Sequence, residues 1–550
     1  MSAVMKQDMP LEGAWQEVCG IDDILPNMGV AALLGRRQIA LFRVVAGDND
    51  PGSIYAIDNY DANSDANVLS RGIVGDVQGE LVVASPIYKH HFSLKTGRCL
   101  ENEAASVHSY PVRIEEGRVQ LSVPIPAKAP AKAAKQKPRL VVIGNGMAGM
   151  RTVEELLQLA PEMYDITVFG AEPHGNYNRI LLSPLLAGEK KLDDIMLHTR
   201  EWYAEQGITL HAGDPVIGVH RAKRVVRSLG GLEVPYDRVL LATGSRPFVI
   251  PVPGKDLPGV ISFRDIQDVD TMLEAARQHK KAVVIGGGLL GLEAANGLMR
   301  QGMDVTVVHL LDSLMERQLD KPAAALLKAS LEQRGLTFLM EAQTAEIVSG
   351  VVAGTVSNEE EPRVVGVRFN DGKQIQADLV VMAVGITPNI ELAQKLGLRC
   401  DRGVLVNDTL QTFDPRIYAV GECVQHRNAT YGLVAPLWDQ ARVCATHLAQ
   451  LGHSRYSGSI TATKLKVTGI DLFSAGDFVG GEDSEDLVYK DSRRGVYKRL
   501  VVKDGKLIGA VLYGDVKDGN WYFELIKKGT AIGAVRDRLV FGQSFVGEIE

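Results

Sequence analysis

Three glycines with the spacing Gly-x-Gly-x-x-Gly follow an apolar run near residue 140 of the 550-residue chain. Gly144 allows a tight turn after a strand, Gly146 lets the backbone approach a pyrophosphate, and Gly149 lets the next helix pack closely on the strand. The free N–H groups at the start of that helix then face the anion. One such turn is weak evidence, because the glycines can also serve packing alone. It predicts a dinucleotide site only if other residues support it.

Residues further along the chain supply that support. Glu172 follows the next predicted strand at about the distance needed to reach the ribose hydroxyls. Thr243 and Gly244 end another strand in a small-residue turn, and Gly421 and Glu422 end a later one. A carboxylate in the last position can lie beside the ribityl chain of a flavin. Together with the first glycine turn, these residues predict an FAD site.

A second turn of the same spacing contains Gly286, Gly288 and Gly291, and Gly385 ends a strand on the other side of the predicted site. The physical argument is the same as for the first turn, and so is its weakness when it is taken alone. Two such units in one chain predict a second dinucleotide, NAD(P)H, beside the first.

The strand after the second turn departs from the usual pattern at its end. An NAD site usually offers Asp or Glu there, whereas this chain has His309. His309 cannot accept the hydrogen bond of the ribose hydroxyl in the usual way, and Arg317 nearby could bind the 2′-phosphate of NADPH. The choice between NADH and NADPH therefore stays open.

The elements that must position these residues change in character along the chain. Short strands and turns precede an Ala/Lys/Pro-rich segment that cannot bury a core. Two copies of a strand, glycine turn, helix and strand follow, which predicts two doubly wound α/β domains. The expected divisions are an all-β domain (1–124), a linker (125–138), an FAD-binding domain (139–262 and 386–456), an NAD(P)H-binding domain (263–385) and a small α+β domain (457–550).

Composition excludes several classes of protein. The chain has 60 Lys and Arg against 67 Asp and Glu, with no basic run, so a nucleic-acid surface is not expected. No secretory signal or membrane-spanning segment is apparent. The five cysteines are scattered and form no CxxC pair, which favours a reducing, cytoplasmic location and leaves no metal or cluster ligand set. Cys423 is interpreted as a lone buried thiol rather than a redox group.

Residues 139–542 resemble the reductase half of the large subunit of bacterial NAD(P)H-dependent assimilatory nitrite reductase. The resemblance is carried by Gly144-Asn-Gly-Met-Ala-Gly149, Glu172-Pro-His-Gly-Asn-Tyr-Asn-Arg179, Leu314-Met-Glu-Arg-Gln-Leu-Asp320 and Tyr418-Ala-Val-Gly-Glu-Cys423. It implies two interleaved domains of the pyridine nucleotide-disulfide oxidoreductase type that carry FAD and NAD(P)H. It also implies electron delivery to a separate sirohaem/[4Fe–4S] polypeptide that reduces nitrite to ammonia.

Two other hypotheses stay open. The chain could be a general NAD(P)H reductase of a rubredoxin or ferredoxin, with an iron–sulfur carrier as its partner. Alternatively, it could be a scaffolding protein with a degenerate flavin site. Because both glycine turns are complete, the scaffold is the weaker interpretation.

Residues 14–124 resemble the Rieske-like small subunit of the same enzyme. Val68, Ser70, Ser85 and Tyr88 stand where a Rieske protein has two cysteines and two histidines. A [2Fe–2S] centre of that type needs two thiolates and two imidazoles. We therefore expect no iron–sulfur cluster in this module.

The resemblance to flavoprotein reductases also suggests roles for residues outside the glycine turns. Glu293 is the candidate that orients the nicotinamide ring, although a solvated or helix-capping role is the alternative. Arg179 is expected near the flavin or its phosphates, and Pro184 stands where some relatives have a lysine that pairs with the glutamate. Pro436 and Trp438 are expected to cover the pyrimidine edge of the flavin, although Trp438 could equally be a core residue.

Overall fold

The computed structural model describes residues 15–34, 37–45, 50, 52–122, 137–351, 362–465, 467 and 469–546. Nearly all of the expected linker at 125–138 lies outside these residues, and so do residues 1–14 of the expected all-β domain. Within the described residues, no helix is long and apolar enough to cross a lipid bilayer.

The N-terminal β-domain consists of small antiparallel sheets, the central one built on the strand Arg37–Val44. Successive side chains of a strand point to opposite faces. Accordingly, Ile39 and Leu41 pack in one core with Val119, while Ala40 and Phe42 pack in another. The strands are Trp15–Gly20, Met28–Leu34, Arg37–Val44, Ser53–Asp58, Tyr60–Asp61, Ala66–Asn67, Ile73–Val77, Glu80–Ala84, His91–Ser93, Ser109–Tyr110, Val112–Glu115 and Arg118–Ser122.

The first α/β domain is built on a five-stranded parallel sheet. In spatial order its strands are Ile208–Ala212, Asp165–Gly170, Arg139–Ile143, Arg238–Leu241 and Ile417–Ala419. The central strand is apolar along its length because a parallel sheet is covered on both faces. The helices of this domain are Met147–Leu159, Leu182–Leu186, Arg200–Glu205, Glu391–Lys395 and Val434–Leu448.

The second α/β domain repeats this plan. Its parallel sheet has the order Val260–Ser262, Leu379–Met382, Lys281–Ile285, Asp304–Val308 and Thr337–Leu339. Its helices are Ile266–Gln278, Leu289–Arg300 and Lys321–Gln333. The edge strand Val260–Ser262 precedes the division expected at residue 263, although it belongs to this second sheet.

Smaller sheets complete the two α/β domains. Their strands are Val216–His220, Val225–Ser228, Glu233–Pro235, Ser245–Pro247, Thr344–Gly350, Arg363–Phe369, Gln374–Gln376, Ile386–Pro388, Val404–Val406 and Val424–His426. The pair Ser245–Pro247 and Ile386–Pro388 carries the chain between the two domains. Because the strand Ile417–Ala419 then joins the first sheet, the second domain is inserted into the first, as expected.

The C-terminal domain is a five-stranded antiparallel sheet with helices. Its strands, in spatial order, are Ala462–Lys464, Leu472–Gly476, Lys506–Tyr513, Val496–Lys503 and Glu485–Asp491. Its helices are Gly519–Lys528, Arg536–Leu539 and Gln543–Val546. The domain packs on the second α/β domain, where the Tyr497 hydroxyl donates to Asp320 at 2.5 Å. The predicted multidomain class, all-β then interleaved α/β then α+β, is confirmed.

Candidate functional site

In the first glycine turn, packing requires two of the three glycines but not the third. Gly144 has φ +117, and a Cβ there would lie 2.1 Å from the carbonyl oxygen of Ala242. A Cβ on Gly149 would lie 2.7 Å from the carbonyl oxygen of Gly144. Gly146, the N-cap of the helix Met147–Leu159, has φ −87, and no atom lies within 4 Å of its ideal Cβ position. Gly146 therefore keeps open a space in front of the helix N-terminus.

The second turn has the same construction. Gly286 has φ +124, and a Cβ there would lie 2.3 Å from the carbonyl oxygen of Ala383. A Cβ on Gly291 would lie 2.0 Å from the carbonyl oxygen of Gly286. Gly288 is the N-cap of the helix Leu289–Arg300 and again faces open space. Helix N-termini with free amides and room in front of them fit the pyrophosphates of two dinucleotides.

Small-residue turns lie beside both cradles. Gly244 has φ +65 and Gly385 has φ +119, and a Cβ on either would face open space. The Thr243 hydroxyl donates to the carbonyl oxygen of Asn389 at 2.8 Å, and the Asn389 amide donates to the carbonyl oxygen of Thr243, also at 2.8 Å. This reciprocal pair fixes the two crossing segments to each other.

Glu172 and Arg179, which the sequence places near the ribose and the phosphates, form an ion pair. The Tyr177 hydroxyl also donates to Glu172, at 2.6 Å, and burial raises the pKa of Tyr177, so that it remains a neutral donor. Arg179 donates in addition to the carbonyl oxygen of Arg264 at 3.0 Å. Sequence reasoning missed Tyr177, because a tyrosine five residues after the acid is not part of the nucleotide pattern.

Glu422 lies in a polar cluster with two residues that sequence reasoning did not select. Its carboxylate accepts from the Ser245 hydroxyl at 2.7 Å and pairs with Arg264, which also donates to Ser245 at 2.9 Å. Gly421 has φ +92 and donates its N–H to the side-chain oxygen of Gln440 at 2.7 Å. The side-chain nitrogen of fully buried Gln440 has no hydrogen-bond partner among the described residues.

The helix Val434–Leu448 contacts this cluster through Gln440, which lies in the middle of the helix. Pro436 is buried in its first turn, and Trp438 is partly buried, with the guanidinium of Arg151 stacked 5.8 Å from its ring centroid. The N-terminal end of a helix stabilises a nearby negative charge.

Glu293 connects the two nucleotide units. It lies on the helix Leu289–Arg300, is 5% exposed, and accepts a hydrogen bond of 2.5 Å from the Ser183 hydroxyl. Ser183 belongs to the short helix Leu182–Leu186 of the first domain. A Cβ on Gly297 would lie 2.6 Å from Cγ of Leu186, so the two helices touch. Because Glu293 is buried, it is not the solvated glutamate of the alternative interpretation.

The sequence profile of the pyridine nucleotide-disulphide oxidoreductases matches residues 138–446. The chain belongs to this family. A Rieske-like [2Fe–2S] domain profile matches residues 14–122, and the profile of the rubredoxin NAD⁺ reductase C-terminal domain matches residues 462–530.

Two curated proteins of Bacillus subtilis are similar to this member of the family. "Nitrite reductase [NAD(P)H]" is 51% identical over 392 residues, which are 71% of this chain and 47% of that protein. "Assimilatory nitrate reductase electron transfer subunit" is 44% identical over 405 residues, 74% and 51% respectively. The chain thus spans about half the length of these relatives.

A solved structure of an NADH:rubredoxin oxidoreductase from Clostridium acetobutylicum is also similar. It is 25% identical, the match covers 74% of this chain and 99% of that one, and the TM-score is 0.60. The covalent putidaredoxin reductase–putidaredoxin complex, at 24% identity and a TM-score of 0.65, shares the fold over 74% of this chain and 97% of that one.

In the second cradle of this oxidoreductase, His309 makes contacts that the sequence spacing did not predict. His309 is 8% exposed, and its Nδ1 accepts the Gly287 N–H at 3.0 Å. Its Nε2 lies 2.9 Å from the carbonyl oxygen of Ser313 and 3.4 Å from a carboxylate oxygen of Glu316. Both ring nitrogens therefore have partners within the protein. Arg317 is exposed on the following loop.

The four positions of the Rieske-like domain that correspond to cluster ligands carry other side chains. Val68, Ser70 and Ser85 are buried, whereas Tyr88 is exposed. The Ser85 hydroxyl donates to the buried carboxylate of Asp61 at 2.6 Å. An apolar side chain, two hydroxyls and a phenol are not the soft ligands that such a cluster requires. The residues at these positions therefore do not fit the group that the family name implies.

Cys423 is fully buried, and its thiol contacts the carbonyl oxygens of Val420 and Leu241. Burial raises the pKa of this thiol, which disfavours the reactive thiolate. None of the five cysteines forms a disulfide.

Proposed function

We propose that this chain is an FAD-dependent NAD(P)H oxidoreductase that supplies electrons to a separate sirohaem/iron–sulfur polypeptide for the reduction of nitrite to ammonia. One observation supports it above the others: two cradles of the same construction, each with an open N-cap glycine, are joined through the contact between Ser183 and Glu293. The site residues selected from the sequence are proposed to act in this reaction.

The proposed nucleotide contacts follow from the chemistry of the cradles. The amides at the N-termini of the helices Met147–Leu159 and Leu289–Arg300 would hold the pyrophosphates of FAD and NAD(P)H. When bound, FAD would supply the chemistry by accepting hydride from the nicotinamide and passing electrons on. The family relation supports both cofactors, and the choice between NADH and NADPH is left to the measurement below.

The protein's own contribution would be orientation and charge. Glu293, held by Ser183, would position the nicotinamide ring. The cluster of Glu422, Ser245 and Arg264 would fix the ribityl side of the flavin. The N-terminus of the helix Val434–Leu448, with Pro436 buried in its first turn, would stabilise negative charge on the reduced flavin.

A sirohaem polypeptide is the proposed acceptor, because the two Bacillus subtilis relatives are named for nitrite reduction and for electron transfer in nitrate assimilation. A rubredoxin or ferredoxin is the second candidate. It is favoured by the match of residues 462–530 to the rubredoxin reductase C-terminal domain. We place the reaction in the cytoplasm, where the free thiols stay reduced.

The test uses the purified full chain. We expect a yellow protein whose flavin absorbance is bleached by NADH or NADPH, with the two rates giving the nucleotide preference, and electron transfer to an artificial acceptor. Nitrite should yield ammonia only after a sirohaem polypeptide is added, whereas rapid reduction of rubredoxin alone would favour the second candidate. Ammonia from this chain alone would refute the division of labour, and a folded sample that stays colourless with added FAD would indicate the scaffold.

A further inference from the structure

A small polar cavity lies between the Rieske-like domain and the first α/β domain. Its volume is about 20 Å³, which is room for one or two water-sized groups. Gln38, Tyr60 and Arg71 line it from the Rieske-like side, and Arg238, Tyr418 and His447 from the other. This cavity is separate from the two cradles, because none of the residues proposed to bind the nucleotides lines it.

Arg71 is mostly buried beside the cavity and has no acidic partner. Its guanidinium donates to the side-chain oxygen of Gln411 at 2.8 Å, which is a neutral acceptor. Among the described residues, no carboxylate lies within 4.0 Å of its nitrogens. Burial lowers its pKa, although a guanidinium remains charged at neutral pH. Buried charges in proteins are normally paired, whereas this cation has no counterion in the part of the chain that the structure describes.

Arg238 faces the cavity from the other domain. It donates to the carbonyl oxygens of Asp65 and Asp237 at 2.8 and 3.0 Å. The carboxylate of Asp65 is 3.8 Å away and its side chain is 52% exposed, so it is partly screened by solvent. Asp65, which also lines the cavity, is therefore near Arg238 and does not pair with Arg71.

The remaining titratable groups of the lining do not change this balance. Burial lowers the pKa of His447 to about 4, so its imidazole is neutral at neutral pH. Burial raises the pKa of Tyr60 and of Tyr418 to about 12, so both keep their hydroxyl protons. The cavity thus presents hydrogen-bond donors and an excess of about one positive charge.

We propose that this cavity binds one small monovalent inorganic anion, chloride or nitrite, beside the unpaired guanidinium group of Arg71. Guanidinium and hydroxyl donors recognise such anions by charge-assisted hydrogen bonds. Because residues of both domains line the cavity, the bound anion fastens the Rieske-like domain to the flavin domain. It acts beside the hydrogen bond of 3.0 Å from the Gln38 side chain to the carbonyl oxygen of Gln450.

The first experiment measures thermal unfolding of the full, flavin-loaded chain at constant ionic strength while chloride or nitrite replaces gluconate. We expect the midpoint to rise by about 2 °C or more and to saturate. Arg71→Gln should weaken the anion dependence at least about tenfold. The matched control is Arg227→Gln, an exposed arginine on the strand Val225–Ser228, which should respond like the wild type. Equal responses in all three proteins would overturn the proposal.

Two further measurements make the result independent of whether Arg71→Gln folds. Wild-type crystals grown in bromide should show an anomalous peak in this cavity beside Arg71; a water there at saturating bromide would contradict the proposal. Saturating chloride should abolish the stabilisation by nitrite if both use this cavity. Whichever of the two anions saturates at the lower concentration is then the physiological candidate.

Discussion

The two open glycines allow cofactor binding to be separated from folding. Gly146→Ala places a methyl group where no protein atom lies within 4 Å, in an extended backbone (φ −87, ψ 178) that alanine adopts. Its effect on the apoprotein's free energy of unfolding should stay within about 1 kcal/mol. The methyl group occupies the space in front of the helix, where the pyrophosphate is proposed to lie. Losing one charge-assisted hydrogen bond of about 1.5–3 kcal/mol weakens FAD binding roughly 10- to 100-fold.

Gly144→Ala is the opposite case. The φ of +117 costs alanine about 1–3 kcal/mol, and the overlap of its Cβ with the carbonyl oxygen of Ala242, at 2.1 Å, adds about 1–3 kcal/mol. The apoprotein should therefore lose about 2–6 kcal/mol of stability. The second turn allows the same comparison. Gly288→Ala should weaken NAD(P)H binding and leave FAD bound, whereas Gly286→Ala should destabilise the fold.

The assay combines urea unfolding of each apoprotein with titration of FAD, followed by quenching of flavin fluorescence, and with titration of NAD(P)H into the flavin-loaded protein. Wild-type FAD affinity in Gly146→Ala would show that the open space is not the pyrophosphate site. If Gly146→Ala unfolded as easily as Gly144→Ala, the distinction between packing and binding glycines would be wrong.

Four further predictions concern buried side chains. Burial lowers the pKa of His447 from 6.5 to about 4, so between these pH values only the unfolded chain takes up this proton. The free energy of unfolding should therefore fall by about 3 kcal/mol as the pH drops from 6.5 to 4. In urea unfolding, His447→Gln should lack that part of the loss. Ser183→Ala removes the 2.5 Å hydrogen bond to Glu293 and should lower the free energy of unfolding by about 1–3 kcal/mol. Glu293→Gln, with full flavin content, should slow flavin reduction by NAD(P)H about 10- to 100-fold in stopped flow. An unchanged rate would assign Glu293 a structural role. Cys423→Ala should lower the unfolding midpoint but leave that rate unchanged, and loss of activity in a folded, yellow variant would contradict the inert thiol.

Features with local causes could be predicted from the sequence. The spacing of Gly144, Gly146 and Gly149 encodes a strand, a turn and a helix within about ten residues, and the same holds for the second turn. The apolar run in the central strand Arg139–Ile143 predicted a parallel sheet that is covered on both faces. This feature was also predictable because the pattern lies in consecutive residues of the chain.

Contacts between distant segments could not be predicted in this way. Ser183 lies 110 residues from Glu293, Arg264 lies 158 residues from Glu422, and Arg71 lies 340 residues from Gln411. Periodicity reports which face of an element is buried, but it does not report which residue of another element meets that face. The absence of lysine at Pro184 was visible in the sequence, whereas the hydroxyl that contacts the glutamate instead was not.

The Rieske-like domain shows what the replaced ligand positions do instead. The N–H of Ser70 donates to the side-chain oxygen of Asn59 at 2.7 Å, and the Asn59 amide donates to Gln38 at 2.7 Å. Gln38 in turn donates to the carbonyl oxygen of Gln450 in the flavin domain, and Arg71, next to Ser70, donates to Gln411 of that domain. The loop around Ser70 and Arg71 therefore contacts the neighbouring domain. Because this edge of the Rieske-like module contacts the flavin domain, it is not a free surface for another protein.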